Sequence, residues 1–346
     1  MPFSEIKGQD RALGALRASL ERGALHHAYL FAGPEGVGKA TAARLLAQAA
    51  NCEADAAARP CGACPPCRKI ARGTHPDVFL LAEERAMAKA GRWEPKGGRT
   101  PSKDIVVDQI RDVVDHRLAM KRFEGRRRFI IVDPADAMNV PAQNALLKTL
   151  EEPPDDTTLV LVAAAPDALL PTVRSRCARV AFAPLADDLV AERLAALQGL
   201  DGEAARAAAA LAGGSLGRAL ALDAKALEAR EAAVAAAAAL DPGDASAWLG
   251  YAAAYARARE PARELCLLLE VWLRDVLAVQ GAGAAAPLAL ADLHPATEAA
   301  AAALAPADVL RRVDAVRDAA DALLQNGSPA LAVERMLIRW FHGDVR

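Results

Sequence analysis

The sequence has almost no excess charge of either sign: 42 lysines and arginines stand against 44 aspartates and glutamates, a formal net charge of −2 at pH 7. Such a chain carries no overall positive field to gather nucleic acid, so any DNA contact is expected to be local or shared with partners. It also lacks an uninterrupted apolar run of membrane length with hydrophobic rather than alanine character. Its opening, MPFSEIKGQDRALGAL, has none of the basic, apolar and small-residue succession of an export signal. The expectation is a cytoplasmic protein with no membrane partner. A disulfide framework is missing too: of six cysteines, four fall between residues 52 and 67, the pattern of a metal cluster in a reducing compartment. With 346 residues, two or three domains are expected.

What is present starts with the apolar stretch HAYLFAG, which runs into GPEGVGKA, residues 33–40, and then the helical stretch KATAARLLAQAAN. The octet fits the phosphate-binding loop G-x-x-x-x-G-K-[ST] except at its last position, and strand-loop-helix is the context such a loop requires. Gly33, Gly36 and Gly38 let backbone N–H groups, Val37 among them, turn inward around phosphate oxygens. Lys39 supplies the charge and the helix N-terminus its dipole. ATP or ADP is therefore the expected ligand, and a glycine-rich connector without ligand is the alternative. Magnesium ligation is weakened, because Ala40 stands where a hydroxyl would reach the metal. Thr41 lies about 100° further round a helix and does not inherit the position.

Later apolar segments at Val78–Leu81, Arg128–Asp133, Thr158–Ala164 and Arg179–Phe182 are separated by helical stretches, which predicts an α/β domain with a mainly parallel sheet. Asp133 closes the third of the five strands and is the candidate metal-holding carboxylate. Pro134 beside it cannot serve as a base, and Asp136 sits two residues on. Between Glu83 and Asp104 the text is rich in Gly, Pro and Lys without period, and a mobile surface insertion is expected there. From Pro184 onward no strand is expected, only alanine- and leucine-rich helices broken near residues 241–244 and 281–287.

The cysteines are spaced C-x₈-C-x₂-C-x₂-C at Cys52, Cys61, Cys64 and Cys67. Two-residue gaps let thiolates converge on one ion, and four sulfurs complete a closed tetrahedron, so a structural zinc is expected. Free thiols and an iron–sulfur cluster are the alternatives. With four cysteines present, His75 is expected to be structural rather than a ligand. The basic run KRFEGRRRF, residues 121–129, is expected to be a solvated edge, with phosphate contact as its functional alternative.

CGACPPCRKIARGTHPD, AQNALLKTLEEPP (142–154) and RSRC (174–177), in this order behind the loop, closely resemble the bacterial DNA polymerase III clamp-loader subunits. The GTHPD string and the altered nucleotide-binding motifs resemble the delta-prime type; the hydrolysis-competent tau/gamma type is the alternative, and a zinc-bearing DNA-binding module is another class. The resemblance implies an AAA+ RecA-like P-loop domain with a zinc module over residues 1–183, a small helical lid over 184–225 and an all-α collar over 226–346. It implies tau/gamma and delta partners in a hetero-oligomeric ring, with the sliding clamp and primer-template DNA met through that complex during DNA replication. It also implies that Arg176 acts as an arginine finger toward ATP held by a neighbour. Hydrolysis-competent AAA+ enzymes carry Asp-Glu where this chain has Asp133 and Pro134. The apolar Ala163–Ala165 offers no polar side chain to sense a γ-phosphate, and Arg218 lies one place beyond the lid arginine of active subunits. Weak or absent hydrolysis is expected.

Overall fold

Five short β-branched and aromatic-rich segments form one parallel sheet: β1 (Ala28–Ala32), β2 (Val78–Leu81), β3 (Arg128–Val132), β4 (Thr157–Ala163) and β5 (Ala178–Ala181). Their order is β2-β3-β4-β1-β5. The computed structural model to which they belong describes residues 3–343 apart from 119, 223, 284 and 326. Strand positions match the sequence expectation to within one residue at each end. β1, β3 and β4 are buried along their whole length, as parallel strands covered on both faces must be.

Alternation decides which side chain meets which layer. Phe31, Phe129, Ile131 and Val160 pack with residues of α1 (Asp10–Glu21), α2 (Lys39–Asn51) and α3 (Pro65–Arg72). Leu30, Ile130, Leu159 and Leu161 pack on the other side. That side holds α4 (Glu84–Lys89), α5 (Val107–Arg111), α6 (Val140–Glu151) and α7 (Pro171–Arg174). Helix α6 begins as its sequence suggests: Asn139 Oδ1 accepts the Ala142 N–H at 3.0 Å, and Pro141 occupies the first turn, where its missing N–H costs nothing.

The segment 83–104, expected to be a mobile surface insertion, contains α4 and closes around one carboxylate. Glu84 is fully buried. It accepts from Arg99 Nη1 and Nη2, both at 2.6 Å, from the Ser102 N–H at 2.8 Å and from Trp93 Nε1 at 3.1 Å. Burial alone would raise its pKa, but these donors outweigh burial and hold it below the ordinary carboxylate value. The sign follows. The clamp's contribution to stability is complete above the ordinary value of about 4.3, and it is lost as pH falls through the depressed one. Glu84→Gln, which leaves Arg99 without its counter-charge, is expected to speed amide exchange across 84–104 by about tenfold or more, since one lost charged hydrogen bond is worth about 1.5–3 kcal/mol. Hydrogen exchange at pH 7 checks it, and the wild type at a pH below the depressed value should approach the variant.

A second compact unit starts at Ala186. It is built of α8 (Asp187–Gln198), α9 (Gly202–Ala212), α10 (Leu216–Ala221), α11 (Ala224–Ala238), α12 (Ala245–Tyr255), α13 (Arg259–Ala282), α14 (His294–Ala303), α15 (Pro306–Leu324) and α16 (Pro329–His342). Side chains of Asp201, Ser215 and Asp244 cap three of these helices, and Trp272 and Trp340 are fully buried in its core. No strand occurs among its described residues. No described helix of either unit is long and apolar enough to cross a membrane.

Candidate functional site

The loop after β1 turns where only glycine fits. A Cβ on Gly33 would lie 2.2 Å from the Phe182 carbonyl oxygen, and Gly38, at φ 101°, ends the loop as the N-cap of α2. Gln9 stitches the loop to the end of β5: its side-chain amide donates to the Val37 carbonyl at 3.2 Å and the Ala183 carbonyl at 2.7 Å. No motif signals Gln9 in the sequence; only the fold brings it here. Lys39 is buried and bends back over the loop, donating from Nζ to the Gly33 carbonyl at 2.6 Å and to the Pro34 carbonyl. Burial lowers its pKa, against the attraction of Asp136, Asp133 and Glu35.

Asp133 reaches the same region from the end of β3. Burial raises its pKa, opposed first by Arg44 and then by Lys39. Ala40, Arg44 and Asp133 line one small cavity of ≈ 90 Å³, and Thr41 is not among its lining residues. The chain therefore does not fit a protein-held magnesium: Ala40 offers no oxygen, and Asp133 faces cations the chain already supplies. Asp136 Oδ2 accepts the backbone N–H groups of Ala164 at 3.1 Å and Ala165 at 2.7 Å, fixing the end of β4, while its Oδ1 is buried without a hydrogen-bond partner. Arg218 belongs to the second unit, where its N–H is capped by Ser215.

The four cysteines do converge. One sulfur from each of Cys52, Cys61, Cys64 and Cys67 lies within 4.8 Å of the others, and the Cys52 and Cys64 sulfurs are 3.9 Å apart. Four sulfurs at about 2.3 Å from one zinc stand about 3.8 Å apart, so the donor set and its spacing fit a tetrahedral ion. Cys52 directly follows α2, Cys64 is the N-cap of α3 and Cys67 lies in its first turn. N–H groups of Cys64 and Ala63 point at the Cys61 sulfur from 3.3 and 3.4 Å. They lower the Cys61 pKa to about 6, whereas burial raises that of Cys67. His75 is buried but stays outside the cluster, its Nδ1 accepting the Asp77 N–H at 3.1 Å.

Arg176 lies elsewhere. β1 and β5 are parallel, with Tyr29 opposite Ala178 and Ala32 opposite Ala181. The glycine loop leaves the C-terminal end of β1, while Arg176 precedes the N-terminal end of β5. Ala178 to Phe182 alone spans about 13 Å of extended chain, and the Arg176 side chain is bound on the far side: Nη2 meets Glu151 at 2.7 Å and Nη1 donates to the Thr172 carbonyl at 2.9 Å. Its side chain is about one-third exposed. The glutamate partner, from the LEEPP end of α6, was not legible in the sequence.

A family model described as DNA polymerase III, delta subunit, matches residues 8–186, more than half of the 346. The delta' subunit of DNA polymerase III from Pseudomonas aeruginosa is 44% identical over 155 residues, 45% of this chain and 42% of that protein. The Bacillus subtilis delta' subunit is 34% identical over 186 residues, 54% and 51% of the two chains. The tau subunit of Escherichia coli is 37% identical over 175 residues, 51% of this chain and 24% of that one. The matched region thus spans about half or less of these relatives. The loop, the cysteine cluster and Arg176 all fall within the matched residues, and the chain belongs to the DNA polymerase III delta-subunit family.

Proposed function

We propose that the protein is a ring member that supports ATP-dependent loading of a sliding clamp onto primed DNA without being an efficient ATPase itself. In this reading its partners are tau/gamma and delta subunits, α8–α10 form the lid, and α11–α16 form the collar through which the ring assembles. Arg176 would complete a neighbour's ATP site in trans. The observation that carries the reading is the placement of Arg176 and the loop at opposite ends of the strands. Arg176 and the Gly33–Lys39 loop lie at opposite ends of neighbouring strands, so a phosphate met by Arg176 belongs to another molecule. At the chain's own loop the hydroxyl is absent, Pro134 stands beside Asp133, and one oxygen of Asp136 accepts two backbone N–H groups. ATP or ADP would be held by loop N–H groups and Lys39, with no metal contributed to by Ala40.

The isolated chain is accordingly expected to hydrolyse ATP at a rate indistinguishable from a Lys39→Ala variant. Phosphate release, measured for both proteins with and without magnesium, checks it. Turnover of about 1 s⁻¹ or more, abolished by Lys39→Ala, would instead place the chain with the hydrolysing tau/gamma type.

A further inference from the structure

At the N-terminal ends of the strands, opposite the Gly33–Lys39 loop, a cavity of ≈ 540 Å³ opens between the ends of α1 and α2, the approach to the cysteine module and the segment entering β3. Arg17, Arg59, Arg126 and Arg127 line it, against two carboxylates, Glu21 and Asp156. Asp156 is already engaged by Arg122 at 3.0 Å. Three of the arginines are oriented by neutral groups. Arg17 lies over the Phe3 ring, 5.4 Å from its centroid. Arg59 donates from Nε to the Ala54 carbonyl at 2.7 Å. Arg127 donates from Nε to Thr158 Oγ1 at 2.7 Å and from Nη2 to the Leu25 carbonyl at 3.3 Å.

Arg127 is the most firmly placed of them. Asn51 holds its backbone in both directions, accepting its N–H at 2.9 Å and donating to its carbonyl at 3.0 Å. Burial lowers its pKa, eased by the proximity of Asp156. A half-buried guanidinium bonded to neutral acceptors is held at a cost that an arriving anion would relieve. Planar guanidinium forks match phosphate oxygens in pairs. Across the cavity the wall is apolar, formed by Leu20, Leu25, Ala49 and Ala50, and the volume falls in the range of small-ligand pockets, about 300–1,000 Å³.

We propose that this cavity is a second anion site, separate from the Lys39 loop, that binds a nucleotide unit: arginine forks grip the phosphate and the apolar wall takes the base. The same chemistry is offered by a free nucleotide and by the phosphorylated end of a single strand. The test uses the full chain carrying Lys39→Ala, so that the loop does not contribute, titrated calorimetrically at low salt with ADP and with a 5′-phosphorylated pentathymidylate. One probe per chain should bind. The Arg59→Ala/Arg126→Ala double variant should weaken binding about tenfold or more, while Arg335→Ala, on α16, should leave it unchanged. Tighter binding of ADP identifies a free nucleotide as the ligand, and tighter binding of the oligonucleotide identifies a strand end. Arg126→Ala alone, at an exposed position, serves if the double variant melts early. No saturable binding, equal loss with Arg335→Ala, or indifference to the Arg59 and Arg126 substitutions in a chain of unchanged melting temperature would overturn the proposal.

Discussion

Cys64→Ser is expected to leave the protein with substoichiometric zinc and a lower melting temperature, the largest single-residue loss of stability anticipated outside the core. The cluster joins the end of the loop-bearing helix α2 to the start of α3, and Gln48 reinforces the join by donating to the Cys67 carbonyl at 2.7 Å. Zinc would act as a cross-link over residues 52–67, a closure worth about 3 kcal/mol if it behaves as a covalent bridge over a loop of that length. At about 2–4 °C per kcal/mol for a unit of this size, a fall of roughly 6–12 °C is expected. A chelator should lower the wild type by a similar amount and leave the variant unmoved. Because thiols must lose protons to bind metal, zinc retention should weaken as pH falls. Elemental analysis with calorimetry decides it. Zinc-free wild-type protein, or an unchanged melting temperature for the variant, would dismiss the metal.

The second large effect concerns Arg176. Arg176→Ala should fold and join the ring, since the side chain is partly exposed and its partners Glu151 and Thr172 sit at the surface. DNA- and clamp-stimulated ATP hydrolysis by the assembled ring should nonetheless fall. Charge spreads over the transferred phosphoryl oxygens in the transition state, and a guanidinium arriving from the neighbouring subunit stabilises it where water is largely excluded. Such a finger is worth about 10³-fold or more at the site it completes. The bulk rate should fall only partly where other sites in the ring are completed without this chain, while clamp loading should fall further. Lysine should not rescue it, lacking the planar fork. The pairing with Glu151 adds a control: Glu151→Gln should release Arg176 without removing it, leaving ring ATPase near wild type. Equal clamp loading by wild-type and Arg176→Ala rings at equal assembly would reduce Arg176 to an intrasubunit ion pair.

Much of this was legible because its signals are local. The five strands were visible as apolar runs with turn residues at their ends, the Asn139 cap as a polar residue before a proline-started helix, and the metal cluster as a spacing. What escaped was long-range and without period. Glu84 finds its donors 9, 15 and 18 residues later, so nothing in the Gly-, Pro- and Lys-rich text of 83–104 announced that a single buried charge draws it together. Gln9 meets Ala183 across 174 residues. Arg127 lay in a basic run that sequence treats as a solvated edge, and only β3, Asn51 and Thr158 together show that it is half-buried while Phe123, four residues earlier, is 82% exposed.

The separation of Arg176 from the glycine loop along β1 and β5 also has a consequence for symmetry. A subunit that offers an arginine at one edge and a loop at the other has a head and a tail, and two copies facing each other across a twofold axis would set like against like. On the function proposed here, association through these surfaces would be heterologous, and each contact would leave one unlike surface open to the next subunit. Such a series closes into a ring or grows without limit, unless a member with one impaired surface stands at an end. On the function proposed here, a chain that keeps Arg176 but whose loop lacks its hydroxyl would take one fixed place in such a ring rather than any place in it.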